Sequence, residues 1–340
     1  MNLYHFNRKF ALAGILFVTL SIACFAQQTA NMRILKTFPI GSAGGWDYLT
    51  VDHSNRKLYV SHSTQVNILD LGTGDSVGVI PNTNGVHGIA LVETMGKGYT
   101  SNGRDNNCTV FDLKTDKEIG AIAVGTNPDA IFFDDFSNKI FVFNGRSQDA
   151  SVIDPATDKV IATIPLGGKP ETGVSDGEGR VYVNSETTNE VVVINATTYK
   201  VEKRYKIEKG NEPSGLAIDR ENGLLSVGCG GNQTCVVMNI ANGKNLAALP
   251  IGSCDGVAFD PGLRIAYTSN GEGNISVIKE LSPAKFSLMK PIETEPGART
   301  IAIDTKTHRL YLPTAKLEPA KAGERPKMIP GTFHVIEVGL

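Results

Sequence analysis

One unit of sequence recurs seven times in this chain, and that recurrence leaves few folds open. An apolar run closes on an Asp, a polar step leads to a second run near an aromatic residue, and a third run ends in Asp or Asn. Ala130-Ile131-Phe132-Phe133-Asp134 is followed by Phe141-Val142-Phe143-Asn144 and then Ser151-Val152-Ile153-Asp154. Leu216-Ala217-Ile218-Asp219 and Val257-Ala258-Phe259-Asp260 open two further copies. Aligned on that first Asp, the copies fall at Asp52, Val92, Asp134, Asp176, Asp219, Asp260 and Asp304, with spacings of 40 to 44 residues. A period near 42 fits a four-stranded blade. β-Branched residues alternate within the runs, as in Lys159-Val160-Ile161-Ala162-Thr163-Ile164, and Asn, Asp and Gly mark the turns between them. The chain is therefore expected to be all-β, a seven-bladed β-propeller.

The ends of the chain predict how the ring closes. Residues 33–41 (RILKTFPIG) resemble 159–167 (KVIATIPLG), so they read as an outer strand with no blade before it. Residues 332–338 (TFHVIEV) read as a third strand with no fourth after it. Pairing the two completes the last blade and removes an open edge. A length of 340 residues exceeds a usual single core, but closed all-β architectures run large as one domain. Residues 27–340 are expected to be that domain, with a charged, Pro-rich insertion at 315–330 in the last blade.

Residues 1–26 read as an export signal. Arg8 and Lys9 precede an uncharged run, Phe10 to Phe25, which as a helix spans about 24 Å, short of the roughly 30 Å hydrocarbon core. Small residues at Cys24 and Ala26 suit cleavage before Gln27, and a lipid anchor on Cys24 is a minor alternative. The mature chain is expected to be a periplasmic or extracellular monomer with no transmembrane segment. Its net charge falls from −2 to −4 on losing Arg8 and Lys9, which argues against a nucleic-acid partner. Cys108, Cys229, Cys235 and Cys254 remain. An oxidising compartment permits a disulfide from Cys229 to Cys235 or to Cys254, and spacing does not choose between them.

The tetrads Tyr99-Thr100-Ser101-Asn102 and Tyr267-Thr268-Ser269-Asn270, with Val152-Ile153-Asp154-Pro155-Ala156-Thr157 and Gly168-Lys169-Pro170-Glu171, resemble the YncE-like, YVTN-repeat β-propellers. The resemblance covers nearly the whole mature chain. It implies the fold and no defined reaction.

Aligned repeats name the side chains expected around the funnel. Five residues ahead of each anchor stand Asp47, His87, Asp129, Glu171, Ser214, Asp255 and Arg299. This position is read as lying just before each blade's first strand. The end of each second strand carries His62, Asn102, Asn144, Asn184 or Ser185, Cys229, Asn270 and Thr314. Trp46 stands beside the first group. Carboxylates and amides converging on an axis could hold a divalent cation, with Asp47, Asp129, Glu171 and Asn144 the candidate ligands. The set resembles the calcium site of lactonase-type propellers. Equally, Asp and Asn are ordinary turn residues. Three readings follow. The first is a binding module for a small molecule or a protein at the funnel face. The second is a metal-dependent lactonase, hydrolase or lyase with His62 or His87 as base. The third, implied by the resemblance, is a single-stranded DNA binder using Trp46 and Arg299. Gly-rich stretches such as Gly228-Cys229-Gly230-Gly231 read as turns and not as a phosphate loop.

Overall fold

The computed structural model describes residues 31–319 and 327–340. The predicted export segment 1–26, with Cys24, lies outside the described residues, as do 320–326 of the insertion.

Seven antiparallel sheets follow one another along the chain, at 46–80, 86–123, 128–165, 170–206, 213–250, 254–293 and 302–339. We number these blades 1 to 7 and call the strands of each A to D from the axis outward. The A strands of successive blades touch one another, and blade 7 returns to blade 1, so the A strands line the axis. Strand D of blade 7 is Arg33–Pro39, which pairs antiparallel with His334–Gly339. Arg33 lies opposite Gly339 and Pro39 opposite His334. The expected closure is the one found. Blade 6 carries one irregularity, in which Lys285–Leu288 and Ile292–Glu293 share Asn274–Ser282 as partner.

Alternation within the B and C strands gives each sheet two apolar faces, and the core lies between blades rather than within one centre. Among the described residues there are seven clusters, one for each pair of neighbours. Phe141, Val152 and Ile164 meet Val181, Val183 and Val192 between blades 3 and 4. Phe38, Tyr311 and Phe333 meet Leu49 and Leu58 between blades 7 and 1. The seam between blades 5 and 6 is the thinnest, with Cys235, Ala266 and Ile278 its fully buried members.

The repeat anchor has a local cause. Asp52 Oδ1 accepts hydrogen bonds from the backbone of Ser54 and Asn55, at 3.0 and 2.8 Å. Asp134, Asp219, Asp260 and Asp304 cap their own A–B turns in the same way. Blade 2 has Val92 there, and a 3-10 turn over Glu93–Met95, ending on Gly96 at φ 64°, replaces the cap.

The cysteines do not form the expected disulfide. Cys108, Cys229, Cys235 and Cys254 are free and buried. Side chains alternate faces along a strand. Cys229 enters the core between blades 4 and 5, whereas Cys235 enters the core between blades 5 and 6. The Cys254 sulfur lies against Gly228, on the blade 6 side of that sheet. Cys229 is thus on the wrong face for either proposed partner. Burial pushes its thiol up to about 12.

Candidate functional site

Six A strands share a defect at one repeat position. The A–B register slips at Trp46/Leu49, Val86/Ile89, Pro128/Ile131, Pro170/Gly173, Pro213/Gly215 and Cys254/Gly256. Asp47, His87, Asp129, Glu171, Ser214 and Asp255 fall inside these bulges. They are the second residues of the A strands, not the residues before them. A bulge frees a residue from the ladder and re-aims its side chain, which explains why a ring inside the strands can face the axis.

The bulged backbone is tied from blade to blade. Thr300 Oγ1 donates to the Asp47 carbonyl at 2.6 Å, and Ser214 Oγ donates to the Cys254 carbonyl at 3.1 Å. Ser101 Oγ donates to the carbonyl of Asp129 and accepts from Gly88 N at 2.9 Å. The backbone that carries Asp47, Asp129 and Asp255 is therefore held by a neighbouring blade.

The side chains meet. His87 Nδ1 lies 2.6 Å from Asp47 Oδ2 and 3.7 Å from Asp129 Oδ1. Lys169 Nζ lies 2.5 Å from Glu171 Oε1 and also pairs with Glu186. Arg299 reaches Asp255 at 3.0 Å. One layer further in, Tyr48 of blade 1 crosses to Thr172 of blade 4, Oη to Oγ1, at 3.2 Å.

Electrostatics follow from this crowding. Burial pushes the His87 pKa down, but the hydrogen bond to Asp47 and the charges of Asp129, Asp47 and Glu171 outweigh it and raise it to about 9. Asp129 is held above the ordinary carboxylate range by burial and by Asp47, against the pull of His87 and Lys169. Glu171 is raised by burial and by Asp129. Burial, then the charges of Asp129, Asp47 and Glu171, raise Tyr48 as well. Negative charge exceeds what the local cations offset.

Above this centre opens a cavity of about 340 Å³, lined by Trp46, Asp47, His87, Asn127, Arg104, Arg146 and Arg299 among others. Trp46 stacks on Phe333 at 5.5 Å, which occupies one face of the indole. The base of the 315–330 insertion sits close by. Leu317 pairs with Met328 in an antiparallel bridge and reaches Gly297 beside Trp46.

The second expected ring does not join the first. Asn102, Asn144 and Asn270 have no exposed surface. Each amide turns into its own B–C hairpin: Asn102 Nδ2 donates to Asn107 and Thr109, Asn144 Nδ2 to Asp149 and Ser151, and Asn270 Nδ2 to Asn274 and Ser276, all at 2.7 to 3.0 Å. The position sits at the last step of strand B, where the amide bridges to strand C. His62 is buried too. It stacks on Phe333 at 3.9 Å, its Nε2 donates to the Gly44 carbonyl, and its Nδ1 accepts from Ser42. Burial lowers its pKa, so it is a neutral packing residue.

Asp47, His87 and Asp129 can each offer one ligand atom within 4.8 Å of the others. Ligands at 2.0–2.2 Å from a zinc-like ion stand about 3 Å apart. The observed pairs bracket that figure, so these three side chains fit a divalent ion after small movements. Asn144 does not.

Lys169, Glu186, Tyr48, Arg104 and Arg146 were not among the expected site residues. The sequence carried a signal for the two arginines, since Asn-Gly-Arg occurs at 102–104 and again at 144–146, one repeat apart.

No protein-family model matches the chain, and no curated protein sequence matches it. Solved structures do. Hydrazine synthase of Kuenenia stuttgartiensis superposes with a TM-score of 0.70 at 16% identity, covering 82% of this chain and 94% of that one. U3-55K superposes at 0.77 and 10% identity, covering 92% and 99%. The WD40 repeats of RRP9 superpose at 0.76 and 9%, covering 92% and 98%. Likeness at such identities shows the propeller fold and nothing of its use.

Proposed function

We propose that this chain is an exported propeller of the YVTN-repeat type that works as a binding module, taking a small polar ligand into the cavity at its funnel face. The carrying observation is the convergence of Asp47, His87 and Asp129, from three successive blades, beneath a cavity rimmed by arginines. A volume of this size lies at the small end of ligand sites. The hydrolase reading loses its amide ligands to the B–C hairpins and His62 to the core. The DNA reading retains Arg299, but one face of Trp46 is already covered by Phe333.

The test is a thermal-shift screen of the purified chain against sugars, carboxylates, phosphate esters and amino acids, repeated on Arg146→Ala. A compound that raises the melting temperature of the wild type and not of the variant supports cavity binding. No compound distinguishing the two proteins would count against it.

A further inference from the structure

The Asn-Gly-Arg pair has a role that the fold does not consume. Both copies follow strand B of adjacent blades. In both, the glycine N–H donates to the loop before strand A: Gly103 to Gly85 and Gly145 to Asn127, each at 2.8 Å. In both, the arginine N–H donates one residue further back, Arg104 to Asn84 at 3.2 Å and Arg146 to Thr126 at 3.1 Å. The roots of the two side chains are therefore pinned alike. A side chain at Gly103 would meet His87 Nε2 at 2.8 Å, so that glycine lets the hairpin lie over the His87 ring. The guanidinium groups are exposed, line one cavity, and make no hydrogen bond or ion pair with the described residues. Two cations stand on fixed roots with no partner among the described residues.

Charges below them are unbalanced in the other sense. Asp47, Asp129, Glu171, Glu186 and Asp255 face His87, Lys169 and Arg299. Five carboxylates, of which burial draws Asp129 and Glu171 toward their neutral forms, stand against three cations, while the rim carries two unmatched arginines. A ligand that satisfies both levels has a cationic end for the floor and an anionic end for the rim. Guanidinium forks favour planar carboxylates.

Resting on the reading of the cavity as a ligand site, we infer that it takes a zwitterion of the amino-acid class, with its ammonium group on Asp47 and its carboxylate between Arg104 and Arg146. The two arginines fix the carboxylate, and the separation of the two charges selects the ligand.

Calorimetry at low salt with unbranched ω-amino acids, from glycine to 6-aminohexanoate, serves as a ruler. Each is compared with the amine and the carboxylate of equal length. One length is expected to bind at least tenfold tighter than either monofunctional compound. Arg104→Ala, Arg146→Ala and Asp47→Asn should each weaken it about tenfold, with melting curves confirming that all three fold. A carboxylate that binds as tightly as its zwitterion, with dependence on Arg146 but not on Asp47, overturns the zwitterion and leaves the cavity reading standing. Saturable binding of zinc or manganese alone, lost in Asp47→Asn, assigns the floor to a metal and likewise overturns it. No binding by any compound, with wild type and Arg146→Ala indistinguishable, sinks both.

Discussion

The Asn at the end of strand B and the Tyr three residues before it do different structural work. Tyr59 and Tyr99 are buried and donate to Asp116 and Asp158, each in the C–D turn of the following blade, at 3.0 and 2.6 Å. The Asn closes the hairpin of its own blade. Both bond from positions without solvent, so replacement leaves partners unsatisfied. Asn144→Ala should cost about 1–3 kcal/mol in urea unfolding, with no change in ligand affinity beyond that expected of a less folded sample. The charged ring behaves oppositely. Asp129 and Glu171 hold protons more tightly when folded than in an unfolded chain, and so does His87. The stability these three groups contribute therefore falls as pH rises: the carboxylates contribute from the ordinary range near 4 up through their raised values, and the His87 contribution, complete below about 6.5, is lost through about 9. Measured from pH 4 to 9.5, the wild type should lose melting temperature relative to Asp129→Asn with Glu171→Gln as these carboxylates ionise. A wild type that gains on the variant as pH rises would contradict these proton affinities. The first ring was legible because its members share a repeat position. The second was misjudged because polarity at a strand end does not reveal which way an amide turns. Only the hydrogen-bond partners five and seven residues on, Asn107 and Thr109 for Asn102, settle that.

Each blade presents apolar faces to two neighbours, so the seven seams can be compared as equivalents. The seam of blades 3 and 4 fully buries large aromatic and branched residues, while that of blades 5 and 6 fully buries Cys235, Ala266 and Ile278 and leaves Leu249, Val257, Phe259 and Phe286 only partly covered. Less buried apolar surface means a smaller local opening free energy. Hydrogen exchange should reach Asn245–Pro250, the outer strand of blade 5, earlier than Lys159–Pro165, the outer strand of blade 3. Equal protection of the two would show that buried side chains do not set seam strength here. The period of the sequence was enough to place every blade, because spacing and turn residues are local. Pairing of the cysteines was not, because it depends on strand parity: Cys229 and Cys235 are six residues apart yet occupy opposite faces of one sheet.

At the scale of the molecule, the ring depends on Arg33–Pro39. Phe38 from this strand is fully buried in the seam of blades 7 and 1, and the strand covers the edge of His334–Gly339. Removing residues 31–41 strips that core and exposes an unpaired edge. The truncated chain should melt well below the full chain or aggregate; an unchanged melting temperature would show that the closure adds nothing. The same pairing sets Arg33 opposite Gly339, which makes the order in which the blades are written a matter of convention. A gene that joins the two ends with a short flexible linker and starts instead at Asn242, in the exposed turn before the last strand of blade 5, encodes the same circle read from another point. Blade 5 would then be assembled from three strands at one end and one at the other, as blade 7 is now, and the protein should refold to the same spectrum with its pocket intact.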